Sequence, residues 1–245
     1  TNATGLGAGI PLTGDSGSFW FFSRGNIELV IKVLDGRSIN GNFWVLYGAL
    51  SDVEYRITIT DTQTGQIAEY YNPPRTLSSR ADVNAFPPSD SSLSFRPSKD
   101  TFGMYGRLAS MLQEQQMRLQ AIDLPEDVPS DSLRSGSAGG GCTADETTLC
   151  LNNNRFRVQV LWKNYNNGST GTGKGVLLPG GANESGYFWF FHKDNVELMI
   201  KILDGRAING HFWIMYGALS DVEYTISVID TVSGAACSYH NPPHN

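Results

Sequence analysis

The sequence predicts an all-β protein, with two tandem antiparallel β-sandwich modules joined by a connector that contains one α-helix. Residues 185–243 repeat residues 16–74 at a constant offset of 169 without a gap, and most aligned positions are identical. Such a repeat is a whole domain rather than a solenoid unit of about 20–50 residues. Within each copy, short strand-like segments separated by turn residues follow one another without a helical period. Only residues 101–122, between the copies, have apolar side chains at helical spacing.

The first copy shows the predicted order of strands. Residues 1–15 are rich in Gly and Thr, which indicates a loop. The continuously apolar segment 27–34 predicts a strand covered on both faces, and the turn at 35–41 ends in Asn-Gly, a pair that tolerates positive φ. Segment 53–61 alternates apolar and polar residues, as in a strand with one face in a core. The remaining predicted strands are 18–22, 43–50 and 67–71.

The second copy has a strand that the first copy lacks. Residues 155–165 (RFRVQVLWKNY) alternate apolar and polar side chains ahead of the loop that precedes the repeat. The first copy begins just after the corresponding point. An unfilled position would leave an exposed sheet edge, which natural proteins avoid. We therefore expect this position to be filled by an unseen strand, by residues 92–96 (SLSFR), or by a strand from a neighbouring molecule.

These features divide the chain into three parts. Module 1 spans 1–74, the connector spans 75–141, and module 2 spans 142–245. In the connector, residues 75–98 are polar and Pro-rich and are expected to be irregular. Residues 101–122 form the predicted helix, and 123–141, which ends in SGSAGGG, is a flexible linker.

Charge and hydropathy exclude two classes of partner. The formal net charge is -6, and no cluster of Lys and Arg offers a track for phosphates, so we expect no nucleic-acid partner. No apolar segment approaches the roughly 18 residues that a membrane span needs. No n-region and h-region pair opens the sequence, so we expect any signal peptide to have been removed or left out.

The chain has three cysteines, which fits one disulfide and one spare thiol. A Cys142–Cys150 bond would close a short loop at the entrance of module 2, and is the favoured pairing. A Cys150–Cys237 bond would join the first and last strands of that module. Three reduced, buried thiols are the remaining alternative. No cysteine is common to both copies, since Ala68 stands at the position of Cys237.

Three motifs that suggest chemistry do not support it. Residues 14–17 (GDSG) resemble a serine-protease nucleophile box, but no His precedes His192. Residues 168–174 (GSTGTGK) approach a phosphate-binding loop, but Gly175 stands where the Ser or Thr that holds magnesium should be. All four histidines lie in the second half, so no histidine metal site or base is common to both copies. We expect no catalytic residue, no metal and no cofactor.

The polar and aromatic residues that both copies share are the candidate binding residues. They could fill the core and stabilise a turn, or they could form an aromatic platform beside polar groups that contacts protein or carbohydrate. An exposed aromatic patch at FWFF would mark an interface. The candidates are Trp20, Asp35, Arg37, Asn40 and Trp44 in the first copy, and Trp189, Asp204, Arg206, Asn209 and Trp213 in the second.

The module resembles a recurring domain of secreted, modular bacterial proteins. The resemblance rests on CLNNNRFRVQVLWKNY at 150–165, SGYFWFF at 185–191, the segment from NVELMIKILDGR to VEYTISVIDT at 195–231, and the closing NPP. It covers the second copy fully and the first copy without its opening strand. It implies an exported, non-catalytic protein and carries no ligand residues to transfer.

The sequence therefore predicts an extracytoplasmic structural or adhesive protein, located outside the cell, on its surface or in the periplasm. We expect it to bind other proteins, or copies of itself, and to associate by strand exchange. Carbohydrate binding is the alternative. A hydrolase would need a polar cluster common to both copies around a cleft, and the sequence indicates none.

Overall fold

A computed structural model describes residues 4–87, 141–178 and 183–243. It confirms the prediction of an all-β protein. The only helices among the described residues are single turns, α1 (Arg37–Asn40) and α2 (Arg206–Asn209). The first half contains β1 (Ala8–Pro11), β2 (Ser16–Trp20), β3 (Leu29–Gly36), β4 (Asn42–Ala49), β5 (Tyr55–Thr60), β6 (Ile67–Asn72) and β7 (Ser79–Phe86). The second half contains β8 (Leu149–Leu151), β9 (Phe156–Lys163), β10 (Thr170–Thr172), β11 (Lys174–Leu177), β12 (Ser185–Trp189), β13 (Leu198–Gly205), β14 (His211–Ala218), β15 (Glu223–Asp230) and β16 (Ala236–Asn241).

The first half has two antiparallel sheets that share one apolar core. Five strands run in the order β1-β2-β3-β4-β7, and β5 pairs with β6 in a second sheet. The core cluster takes residues from both sheets, including Val45 and Tyr47 from β4, Ile57 from β5 and Tyr70 from β6. Alternation along β5 places Ile57 inward, as the sequence predicts.

The second half has the corresponding sheets with a different set of edge strands. One sheet runs β10-β9-β15-β16, with β8 also paired to β9, and the other runs β11-β12-β13-β14. Their shared core is larger and more completely buried, because β9 places Phe156, Val158, Val160 and Trp162 into it. The disulfide between Cys142 and Cys150 closes the loop that precedes β9.

The two halves pack against each other through equivalent faces. A third apolar cluster joins Ile27, Val30 and Leu50 of the first half to Val196, Met199 and Leu219 of the second half. At 169 residues apart, Ile27 and Val196, Val30 and Met199, and Leu50 and Leu219 are repeat equivalents. The interface therefore has approximate two-fold symmetry, in which the same face of each copy meets the other.

Three segments predicted as loop contain strands. The predicted loop of residues 166–179 contains β10 and β11, which pair with β9 and β12. Residues 8–11 form β1, because the backbone of this segment extends along β2, with Ala8 opposite Trp20. Residues 79–86, inside the supposedly irregular connector, form β7, which pairs with the outer edge of β4. Residues 80–85 (RADVNA) alternate polar and apolar side chains, a strand pattern that the interpretation of 75–98 as irregular did not use. In each of these segments a neighbouring strand edge satisfies the backbone hydrogen bonds.

Two other expectations lie outside the described residues. These are the helix and linker of 101–141, apart from Gly141, and the candidate filling strand at 92–96. Neither one-turn helix of the described residues has the length or apolarity to cross a membrane.

Candidate functional site: the β5 edge

The predicted Asp and Arg candidates lie together in one turn of each half. Arg37 donates to both carboxylate oxygens of Asp35, at 2.9 and 2.6 Å, and its guanidinium lies 4.5 Å from the centre of the Phe43 ring. The second copy repeats this geometry with Asp204 and Arg206. The hydrogen bonds from Arg206 lower the pKa of Asp204 to about 2. Both pairs are exposed, so they orient the turn more than they stabilise the fold.

The Asn and Trp candidates of the same turns bond to each other. The side-chain oxygen of Asn40 accepts from the indole N–H of Trp44 at 2.9 Å, and Asn209 accepts from Trp213 at 3.1 Å. The indole of Trp44 lies directly over Gly36, where any Cβ would come within 2.2 Å of the indole nitrogen. The invariant spacing of Asp-Gly-Arg, Asn and Trp in both copies is therefore explained by one packed turn.

The remaining two candidates lie elsewhere. Trp20 and Trp189 pack at the cluster between the halves, away from the Asn–Trp pairs. The ten predicted residues thus form one turn cluster in each half and one pair at the interface, and they do not converge on a single platform. Carbohydrate binding by these residues stays a prediction.

A pair of buried charges in each copy is a feature that the sequence analysis missed. Lys32, 1 % exposed, donates to the side chain of Asn195 and, at 3.2 Å, to the carbonyl oxygen of Val196. Lys201 donates to Asn26 at 2.7 Å and to the carbonyl oxygen of Ile27 at 2.8 Å. Each lysine therefore reaches from its own half into the other half at equivalent positions.

Each of those asparagines also donates a hydrogen bond to a buried glutamate. Asn195 donates to Glu197, which also accepts from the backbone N–H of Phe190 at 2.7 Å. Burial raises the pKa of Glu197 to about 8, against the opposing effect of Lys32, and burial lowers the pKa of Lys201 to about 8. The segments NIELVIK and NVELMIK carried the sequence signal for these buried charges. In each segment, a glutamate and a lysine four residues apart interrupt an otherwise apolar strand.

In the second half, β9 completes the sheet along β15. The strands pair antiparallel over eight residues, from Glu223 opposite Lys163 to Asp230 opposite Phe156. At one end, Arg155 donates twice to Asp230, at 2.9 and 2.7 Å, and lies 4.4 Å from the centre of the Phe212 ring. This contact holds the pKa of Asp230 far below its usual range.

At the other end of β9, Trp162 covers the last two aromatic residues of the FWFF segment. Its ring centre lies 4.7 Å from that of Phe191 and 6.4 Å from that of Phe190. Phe190 is 5 % exposed as a result. The strand is thus held by an Arg–carboxylate pair at one end, a tryptophan at the other, and two valines between them.

In the first half, the equivalent strand β5 pairs only with β6 among the described residues. We call the other side of this strand, together with the side chains beside it, the β5 edge. It keeps the counterparts of the groups that β9 contacts: Phe21, Phe22, Phe43, Glu54, Tyr55, Ile57, Ile59 and Asp61.

Two of these residues are less buried than their counterparts in the second half. Phe22 is 69 % exposed, whereas its counterpart Phe191 is packed into the core cluster of its half. Tyr55 is partly exposed, whereas Tyr224 is 2 % exposed. The hydroxyl oxygen of Tyr55 is also buried without a hydrogen-bond partner among the described residues. Among the described residues, the β5 edge is therefore the unpaired side of a strand, flanked by aromatic side chains that are more exposed than their counterparts.

The described residues contain no group of three His, Cys, Asp or Glu side chains placed to hold a metal ion. No family model, no curated protein and no solved structure matches the chain.

Proposed function

We propose that the chain is a non-catalytic structural or adhesive protein that binds another protein by accepting one of its strands along the β5 edge. In this proposal the two halves are tandem β-sandwich modules joined by the connector. Each half has its own apolar core, which contains residues from both of its sheets. These separate cores support the division into modules.

The observation that carries the proposal is the difference between two copies of one surface. The residues on β5 and its neighbours match those that receive β9 in the second half, yet Phe22 is left 69 % exposed. Burying a phenylalanine contributes about 1.5–3 kcal/mol, so covering the exposed Phe22 side chain would favour binding of a strand at this edge. Peptide addition to a sheet edge is an established mode of recognition, in which backbone bonds supply affinity and side-chain pockets supply specificity.

The second half also indicates the chemistry of the occupant. A strand with the pattern of residues 155–163 would run antiparallel to β5, with its tryptophan opposite Tyr55 and two valines opposite Ile57 and Ile59. Its arginine would reach Asp61 and the Phe43 ring, as Arg155 reaches Asp230 and Phe212. Its lysine would approach Glu54, as Lys163 lies 3.5 Å from Glu223. The partner is therefore a polypeptide that presents Arg-Phe-x-Val-x-Val-x-Trp-Lys in extended form.

An extracytoplasmic location is part of the proposal. The disulfide between Cys142 and Cys150 supports it, because such bonds persist in oxidising compartments and are rare in the cytosol. Fractionation of the producing cells would test it, and a protein confined to the cytosol with reduced cysteines would contradict it.

Binding can be tested with the full chain and a synthetic peptide of residues 155–165. We expect saturable one-to-one binding in titration calorimetry, together with slower hydrogen exchange of the β5 amides that do not bond to β6. A peptide with Arg155→Ala and Trp162→Ser is the matched control, and we expect it to bind at least about tenfold more weakly, a loss of about 1.4 kcal/mol. Phe22→Ser in the chain should have a similar effect without harming the fold, because Phe22 is exposed.

Two results would overturn the proposal. The first is the absence of binding. Prior protection of the β5 amides that do not bond to β6 would then show that another part of the chain already pairs with this edge. The second is equal binding of the native and substituted peptides, which would indicate nonspecific attraction. The mass of the purified particle in solution would show whether copies of the chain themselves associate.

A further inference from the structure

We propose that the two halves of the chain become joined covalently, by amide bonds that form between the side chains of Lys32 and Asn195 and between those of Lys201 and Asn26. In each bond the lysine amine replaces the amide nitrogen of the asparagine, which leaves as ammonia. We call each group of lysine, asparagine and neighbouring glutamate a cross-link site. The proposal depends on the contact between the halves, and it stands or falls independently of strand binding at the β5 edge.

Each cross-link site places a lysine amine against the group that it attacks. The Nζ of Lys201 contacts the Oδ1 of Asn26 at 2.7 Å, and the Nζ of Lys32 contacts the Oδ1 of Asn195. The carbon to be attacked, Cγ, is bonded to that oxygen. The backbone carbonyl of the residue after each asparagine accepts from the same amine, at 2.8 Å in one site and 3.2 Å in the other. Two reactants held in this way react as if at effective concentrations of about 10⁵–10⁸ M in the best-oriented cases, so no external enzyme is needed.

A buried glutamate completes each cross-link site. The side-chain Nδ2 of Asn26 donates to Oε1 of Glu28, and Nδ2 of Asn195 donates to Oε1 of Glu197. Both glutamates are 0 % exposed. A backbone N–H group donates to the other oxygen of each carboxyl group, at 2.6 and 2.7 Å, and so fixes its orientation. The glutamate therefore touches the nitrogen that has to leave the asparagine.

Burial favours the protonation states that the reaction needs. A lysine attacks only as the neutral amine, and a carboxyl group helps ammonia to leave only when it carries a proton. Burial lowers the pKa of Lys201 to about 8 and also lowers the pKa of Lys32. It raises the pKa of Glu197 to about 8 and also raises the pKa of Glu28. Besides these glutamates, the charged groups that act on the two lysines are a pair of equivalent acids, Asp15 and Glu184.

The reaction balances without an oxidant, a reductant or any other co-reactant. The lone pair of Nζ forms a bond to Cγ, and the bond between Cγ and Nδ2 breaks. The glutamate delivers its proton to the departing Nδ2 and receives the proton that Nζ loses, so its protonation state is restored. Each site yields one secondary amide and one molecule of ammonia. The reaction occurs once per site, which is compatible with a protein that turns over no substrate.

The cross-links give a physical reason for burying these groups between the halves. Apolar side chains of similar volume often stabilise such a position as well as a buried ion pair does, or better. A cross-link instead converts an amine and an amide into one neutral amide that needs no counter-charge. Because the two sites are reciprocal, two bonds would join the halves across their two-fold contact. The halves could then not separate under load, which suits a structural or adhesive protein.

Mass spectrometry of the purified full chain tests the proposal. After reduction, we expect an intact mass below that of the sequence by two ammonia molecules. Complete digestion with trypsin should then give residues 25–37 and 194–206 as one linked species, since trypsin does not cut after an acylated lysine. Ring closure at an Asn-Gly pair also releases ammonia, but neither of these peptides contains such a pair. Release of residues 33–37 and 202–206 as separate peptides, from a chain of full mass, would overturn the proposal.

Each site serves as the matched control for the other. Glu197→Gln keeps the size of the side chain but cannot transfer the proton, so we expect the Lys32 bond to be lost and residues 33–37 to be released. The Lys201 bond should persist, which also shows that the halves of the variant still meet. Glu28→Gln should show the reverse pattern. Full cross-linking of both variants would contradict the role of the glutamates, and the peptide map of the parent chain decides the proposal if a variant does not fold.

Discussion

The contact between the two halves can be tested at a pair of glycines. Gly48 in β4 and Gly217 in β14 meet backbone to backbone, and a Cβ at position 48 would lie 2.9 Å from the Gly217 Cα and 3.2 Å from its carbonyl carbon. Ordinary van der Waals contact begins at 3.4 Å. The partner here is backbone, which cannot rotate away, so Gly48→Ala must push the two strands apart by roughly 0.5–1 Å.

The magnitude follows from two opposing effects. Overpacking of this kind costs typically about 1–3 kcal/mol. Replacing a strand glycine by alanine otherwise stabilises by roughly 0.5–1 kcal/mol. We therefore expect Gly48→Ala to lower the free energy of unfolding by about 0.5–2 kcal/mol, with the larger values if the apolar cluster between the halves separates as well.

Urea unfolding followed by tryptophan fluorescence measures this loss. Gly217→Ala should behave alike, since its Cβ would lie 3.1 Å from the Gly48 Cα. Gly14→Ala is the control, because a Cβ there meets no atom within 4 Å. If Gly48→Ala is as stable as the Gly14→Ala control or more stable than the parent, then β4 and β14 do not meet in solution, and the interface between the halves is wrong.

Two further predictions concern titration and covalent bonding. Burial raises the pKa of Glu197 from an ordinary value of 4.5 to about 8, so the folded state binds this proton more tightly than the unfolded state. The protonated carboxyl therefore contributes its full stabilisation below about pH 4.5, and this contribution is lost as the pH rises through about 8. Glu197→Gln should thus gain in urea midpoint relative to the parent between pH 5 and 8.5, and a difference that does not change with pH would contradict the burial of an ionisable carboxyl. Cys142→Ala with Cys150→Ala opens a disulfide with a sequence separation of 8 and should cost about 2–3 kcal/mol of unfolding free energy. The exposed Cys237→Ala should cost less than about 0.5 kcal/mol, and equal losses in the two variants would show that the bond contributes nothing.

Much of the local structure follows from the residues themselves. Alternation along 53–61 predicts β5, and the Asn-Gly pair at 40–41 predicts a turn that leaves Gly41 at a φ of 82°. These features depend on side-chain period and on backbone sterics, both of which act over a few residues. The internal repeat also predicts that the strands of residues 16–74 recur in residues 185–243.

The pairing of the edge strands could not be predicted. Residues 80–85 alternate polar and apolar side chains, but only the structure shows that this strand, β7, pairs with the edge of β4. Asn40 donates there to the carbonyl oxygen of Val83, and Tyr70 donates to the side chain of Asp82. The same applies to β1 along β2. Edge pairing depends on a distant segment, and the local sequence does not encode it.

The sequence by itself determined that this protein is all-β and that it contains one unit twice. Only the tertiary structure decided which faces of the two copies meet. It also showed that Lys32, Glu197 and their equivalents are buried at this contact between the halves. Those charges stand in apolar segments, and a single strand cannot show what compensates their burial. Glu197 accepts hydrogen bonds from Asn195 and Phe190 of its own half. The acceptors of Lys32 come from the other half of the chain, more than 160 residues away, and only folding brings them within hydrogen-bonding distance.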